Sequence, residues 1–133
     1  MTTMKNQQIL FENKALWIHD FEIQQMNYDE RFSIRHFSFV PPLSNHSGNI
    51  FLTDGEIILH GDESTNISLG TIEELYYGFD ELYTASSVKN FGVFWKPLRI
   101  RYNRYNLIYL IINYRHFYTS NEQFLAILKD MLL

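Results

Sequence analysis

Apolar and polar residues alternate one by one over long stretches of this chain. From Ala15 onward, Trp17, His19, Phe21 and Ile23 alternate with Ile18, Asp20, Glu22 and Gln24. Phe32, Ile34, His36 and Ser38 then alternate with Ser33, Arg35, Phe37 and Phe39. A period of two with aromatic enrichment predicts strands, here two within 15–40 with a turn at Asn27–Glu30. Pro41-Pro42 stops the second run because proline donates no ladder hydrogen bond, and 41–48 reads as a loop. Residues 1–14 are polar and unpunctuated, and are read as an N-terminal arm or a short helix.

Asn49–Thr53, Asp54-Gly55 and Glu56–His60 predict a hairpin, with Asp-Gly supplying the positive φ angles of a type I′ turn. A short strand follows at Asn66–Leu69. The stretch 71–84 carries two signals. Ile72, Leu75, Tyr76, Phe79, Leu82 and Tyr83 fall at helical spacing, but the tyrosines and Gly78 favour a bent strand. The strand is preferred and a second helix is the alternative. Leu98–Tyr102 and Leu107–Tyr114 predict another hairpin. Its first arm puts Leu98, Ile100 and Tyr102 on one face and Arg99 and Arg101 on the other. Its second arm is apolar enough to be covered on both faces. The chain closes with an amphipathic helix. Thr119/Glu122 or Ser120/Gln123 offers a capping box, and Phe124, Ile127, Leu128, Met131 and Leu132 form the apolar stripe.

This order of elements resembles the pleckstrin-homology (PH) superfold, in particular its GRAM-like and bacterial PH-like branches. Ser47–Gly61 (SGNIFLTDGEIILHG) looks like an opening hairpin, and Ile67–Phe79 (ISLGTIEELYYGF) like the next strand pair. PLRIRYNRYNLIYLII with TSNEQFLAILKDMLL looks like the last hairpin and capping helix. The resemblance implies an all-β fold with one C-terminal helix: a partly open antiparallel barrel plugged by that helix around one core. Residues 47–133 match best, and 15–46 are additional strands of a single domain spanning 15–133. The resemblance also implies a binding module rather than an enzyme.

Composition narrows the chemistry. The chain has 133 residues, 46% hydrophobic and 17% aromatic, with no cysteine, which excludes disulfides, thiolate metal sites and a cysteine nucleophile. No apolar leader or membrane-length run is visible, so a cytoplasmic protein is expected, with peripheral attachment to the membrane as the alternative. No catalytic motif of the hydrolase, zinc-protease or P-loop type occurs. The histidines at 19, 36, 46, 60 and 116 lack metal-ligand spacing, so neither a metal site nor a cofactor is expected. His19-Asp20, His60-Gly61-Asp62 and the adjacent acidic pairs read as solvated surface.

Charge is segregated. Residues 1–81 hold four basic and 13 acidic residues, whereas 82–121 hold six basic and no acidic ones. The basic hairpin therefore supplies the anion-binding candidates Lys89, Lys96, Arg99, Arg101 and Arg104, unless the acidic half neutralises them. An anionic lipid headgroup is one ligand class that fits. Against it, lipid-binding PH domains carry their basic residues on the first hairpin, where this chain has the acidic turn Thr53-Asp54-Gly55-Glu56. RNA or single-stranded nucleic acid is a weaker match, given a sequence pI of about 5.7. Phe91, Phe94 and Trp95 are the protein-interface candidates. The leading expectation is protein–protein docking or self-association.

Overall fold

The structure is a computed structural model and describes residues 8–26, 43–85, 95–115 and 118–132. Among these residues seven strands form one antiparallel sheet: β1 (Ile9–His19), β2 (His46–Thr53), β3 (Glu56–Gly61), β4 (Ser64–Ser68), β5 (Ile72–Tyr77), β6 (Leu98–Tyr102) and β7 (Asn106–Ile112). A six-residue helix α1 (Asp20–Gln25) follows β1, and α2 (Asn121–Leu132) follows β7. Among the described residues the strand order is β4-β3-β2-β1-β7-β6-β5, and the sheet they form does not close. An open, all-β barrel-like sheet with a C-terminal helix is the fold.

The first strand differs most from the sequence reading. β1 begins at Ile9, so 9–14 belong to the sheet rather than to an arm, and β1 sits at its centre between β2 and β7. The strand ends at His19, and Phe21 and Ile23 lie in α1. Asp20 and Glu22 occupy that helix's first turn, where carboxylates suit the helix dipole, and Ile23 turns into the core. The alternation over 17–23 fits both periods at these positions, which is why it misled. The strand expected at 32–39 lies outside the described residues.

The hairpin at 46–61 forms in the predicted register, with Leu52 opposite Ile57. Its turn is not type I′, because Asp54 does not take a positive φ. The Thr53 hydroxyl closes the turn instead, accepting from the Gly55 and Glu56 amides and donating to the Glu56 carbonyl. Left-handed residues occur in the second hairpin, at Asn103 (φ 50°) and Arg104 (φ 72°), between β6 and β7. Residues 72–77 are strand, so the alternative helix at 71–84 is not formed.

The sheet buries both faces. On one, Trp17, Ile50, Leu59, Leu98, Ile100, Ile108, Leu110 and Ile112 pack against Phe124, Leu125 and Leu128 of α2. On the other, Ile18, Ile23, Leu43, Tyr83, Trp95, Tyr109 and Ile111 form a second core. β7 feeds both, as its unbroken apolar sequence requires, and the single core expected for the barrel is two. Each fully buried side chain of this size contributes roughly 1.5–3 kcal/mol before entropy is counted. In α2 the stripe includes Leu125, whereas Leu132 is exposed. The helix start is held by the buried Asn121. Its side chain accepts from the Ile112 amide (2.9 Å) and donates to the carbonyls of Lys96 (2.7 Å) and Leu110 (3.1 Å).

One close approach positions the site described next. Gly48 and Gly61 are cross-strand partners of β2 and β3. A Cβ would lie 2.3 Å from the His60 carbonyl oxygen at Gly48, and 2.0 Å from the Ser47 carbonyl oxygen at Gly61. Only glycine allows these backbones to meet. The β3–β4 turn therefore folds tightly onto the start of β2, where the Asp62 amide donates to the Ser47 carbonyl.

Candidate functional site

The acidic half of the chain neutralises one cation of the basic hairpin, Arg99. Arg99 lies on the face of β6 predicted for it, but its guanidinium donates to Asp80 (2.9 Å) and Glu74 (2.7 Å) and lies 4.7 Å over the Tyr76 ring. Asp80 also accepts from the Tyr109 hydroxyl and from the Leu82 and Tyr83 amides. Burial opposes its charge, yet these donors outweigh that effect and hold its pKa below the usual carboxylate value. Burial and the Asp80 carboxylate push the Tyr109 phenol far up. Arg99 is thus an internal ion-pair partner rather than a free anion site, and Asp80 is no solvated surface acid.

Arg101 is exposed and only 3.9 Å from Glu74, Lys96 lies 5.7 Å from the Tyr77 ring centroid, and Arg104 is exposed in the turn. Lys89, Phe91 and Phe94 lie outside the described residues. Trp95 is buried against Phe79 and Tyr114, so it is core and not an interface residue.

A second constellation forms where sequence spacing gave no sign of one. His19 ends β1, His46 begins β2, and Glu63 sits in the β3–β4 turn. Cross-strand register brings them together, since His46 pairs with Trp17, two residues before His19. The His19 Nε2 is 2.6 Å from Glu63 Oε1, and the His46 Nε2 is 3.6 Å from Glu63 Oε2. One ligand-capable atom from each of the three residues falls within 4.8 Å of the others.

Surrounding groups orient these three. The His46 Nδ1 is 2.7 Å from Asp62 Oδ2, and its Nε2 is 2.7 Å from Glu22 Oε2. Glu22 also accepts from the His19 amide and from Asn45. The Trp17 indole N–H donates to Glu63 (3.3 Å). Burial disfavours a charged His46, but hydrogen bonds to Asp62 and Glu22, with Glu63 nearby, raise its pKa above the ordinary value. Burial likewise opposes the Glu22 charge, and the His19 amide, Asn45 and His46 overcome it and lower that pKa. His46 and the Ser47 amide lower Asp62.

His19 and Asp62, read from the sequence as solvated surface, take part in this cluster through partners distant in sequence. His19 faces Glu63 rather than Asp20, and Asp62 orients His46 rather than His60, which is exposed and faces Ser64. Only strand register could have revealed this. Chemically, two imidazoles and a carboxylate converging on one point can share protons or hold a cation.

Comparison with known proteins adds the fold alone. No protein-family model matches the chain, and no curated protein matches it. The chain is similar to a crystal structure described as the C-terminal domain of an unknown protein from Leishmania infantum. The TM-score is 0.57 at 10% identity, over 99% of this chain and 91% of that one. Among the described residues no helix is long and apolar enough to cross a membrane.

Proposed function

We propose that this chain is a cytoplasmic, non-enzymatic binding module of PH-like build, and that it docks protein, beginning with a second copy of itself. The supporting observation is the edge strand β4. Among the described residues β4 pairs only with β3, in continuous register, and Ser64–Ser68 contains no charge, no proline and no bulge. Edge strands are ordinarily defended by such features. The opposite edge, β5, carries Glu73 and Glu74 and a register shift between Ile72 and Glu74. Strand addition therefore favours β4: backbone hydrogen bonds supply affinity, and alternate side chains such as Ser64, Asn66 and Ser68 face the partner's neighbouring strand.

Binding to anionic lipid headgroups is the second reading, because Lys96, Arg101 and Arg104 are exposed. It has lost Arg99, its central cation, to Glu74 and Asp80. Nucleic acid is weaker still, resting on Tyr105, 84% exposed beside Arg104.

Sedimentation velocity over a wide concentration range tests the docking reading. The native chain is expected to gain mass with concentration, and Asn66→Lys to remain monomeric, since it places a cation on the edge while keeping a partner for Glu56. A native chain that stays monomeric throughout removes self-association. Association undiminished in Asn66→Lys removes β4 as its site.

A further inference from the structure

We propose that His19, His46 and Glu63 bind a divalent transition-metal cation of the zinc class. This goes beyond the docking reading and does not depend on it. The donor set carries the inference. One ligand-capable atom each of His19, His46 and Glu63, from β1, β2 and the β3–β4 turn, lies within 4.8 Å of the other two, and Glu22 of α1 lies beside them, 2.7 Å from the His46 Nε2. Imidazole–carboxylate sets suit zinc and its neighbours, whereas calcium and magnesium prefer oxygen alone.

Tetrahedral zinc with bonds of about 2.0–2.1 Å needs ligand atoms roughly 3.3 Å apart. The Glu63 Oε2 lies 3.1 Å from the His19 Nε2 and 3.6 Å from the His46 Nε2, which brackets that value, and the two imidazole nitrogens need only close from within 4.8 Å. The side chains of His19, His46, Glu22 and Glu63 are 11, 14, 13 and 27% exposed, which leaves an entry path while excluding most water.

The outer groups match those that tune metal ligands. Asp62 takes the His46 Nδ1 and leaves Nε2 facing the cluster, the carboxylate–histidine arrangement that fixes a ligand's tautomer and orientation. Trp17 holds Glu63, and Asn45 with the His19 amide holds Glu22. Three carboxylates, Glu22, Asp62 and Glu63, surround the two imidazoles, and a dication compensates their charge. Three protein ligands fasten the start of β2 and the β3–β4 turn to the end of β1 and leave a fourth position open.

The test is Zn²⁺ binding to the full chain, measured by competition with a chromophoric chelator, with Co²⁺ absorption reporting tetrahedral nitrogen–oxygen coordination. The native chain is expected to take up one ion and to unfold at higher temperature with Zn²⁺. His46→Gln should abolish uptake. Asp62→Asn, at an exposed position that leaves every ligand in place, should weaken it by about 10- to 100-fold. His60→Gln, at the nearby exposed histidine, should bind like the native chain. The proposal is overturned if the native chain binds no Zn²⁺, or if Asp62→Asn binds as tightly as native. Loss of binding in His60→Gln equal to that in His46→Gln overturns it too.

Discussion

Replacing Asn121 by alanine tests how the helix is joined to the sheet. The side chain is fully buried and makes three hydrogen bonds to backbone groups of β7 and of the segment before β6. Each is worth about 1 kcal/mol net, and the alanine variant takes a partner from one amide and two carbonyls, the Ile112 and Leu110 bonds being fully buried. The expected loss is about 3–4 kcal/mol, a large fraction of a domain's total stability of roughly 5–15 kcal/mol. Asn121→Asp should be no better at neutral pH: a carboxylate can accept from the Ile112 amide but meets two carbonyl oxygens with no proton to give. Urea unfolding provides the measurement, with the slope m expected to stay constant while the midpoint falls. Glu122→Ala is the contrasting variant. The reciprocal capping box the sequence offered at Thr119/Glu122 is not formed among the described hydrogen bonds, so its effect should stay within about 0.5 kcal/mol. A loss below about 1 kcal/mol for Asn121→Ala would refute this reasoning.

Other expectations follow from the same geometry. Asp80→Ala should cost more than Arg99→Met, about 2–3 kcal/mol against less, because Asp80 gathers four donors while Arg99→Met leaves three of them in place; urea midpoints give the order. The Asp80 pKa is lower in the folded chain, so its stabilisation is complete above its ordinary value of 3.8 and is lost as pH falls through the lower folded value. The stability gap between native and Asp80→Ala should therefore close as the solution is acidified below that value. Phe124→Ala, at a fully buried position against Phe11, should cost about 3–5 kcal/mol by leaving a cavity, again read by urea unfolding. On heparin at low salt the native chain should run unretained, and retention that is lost in Arg101→Glu/Arg104→Glu would instead favour the phosphate readings.

Periodicity disclosed what depends on short-range pattern. The β2–β3 and β6–β7 hairpins, the inward face of β6, the two-sided burial of β7 and the amphipathic C-terminal helix are all local consequences of residue order. β1 shows the limit. Ile9–Lys14 gives a strand no clear alternation, and its assignment comes from two neighbours distant in sequence, β2 and β7. The short helix at 20–25 hid because Phe21 and Ile23 continue the strand period while Asp20 and Glu22 are helix-start residues. Polar groups were the least legible. The acidic half was open as a neutraliser of Arg99, but its actual partners were hidden because Glu74 and Asp80 are 25 and 19 positions away. His19, His46 and Glu63 read as unrelated because 27 and 17 residues separate them, and only the tight Gly48–Gly61 crossing draws the last two together. Asn121 carried no sign that it would be buried, since an asparagine at a helix start ordinarily reads as a solvated cap.

The most direct test of docking at β4 is amide hydrogen–deuterium exchange followed as protein concentration rises. Strand addition should protect Ser64–Ser68 progressively and leave Ile72–Tyr77, the other edge, unchanged. Exchange at Ser64–Ser68 that stays constant while the chain associates, or protection gained at Ile72–Tyr77 instead, would contradict it.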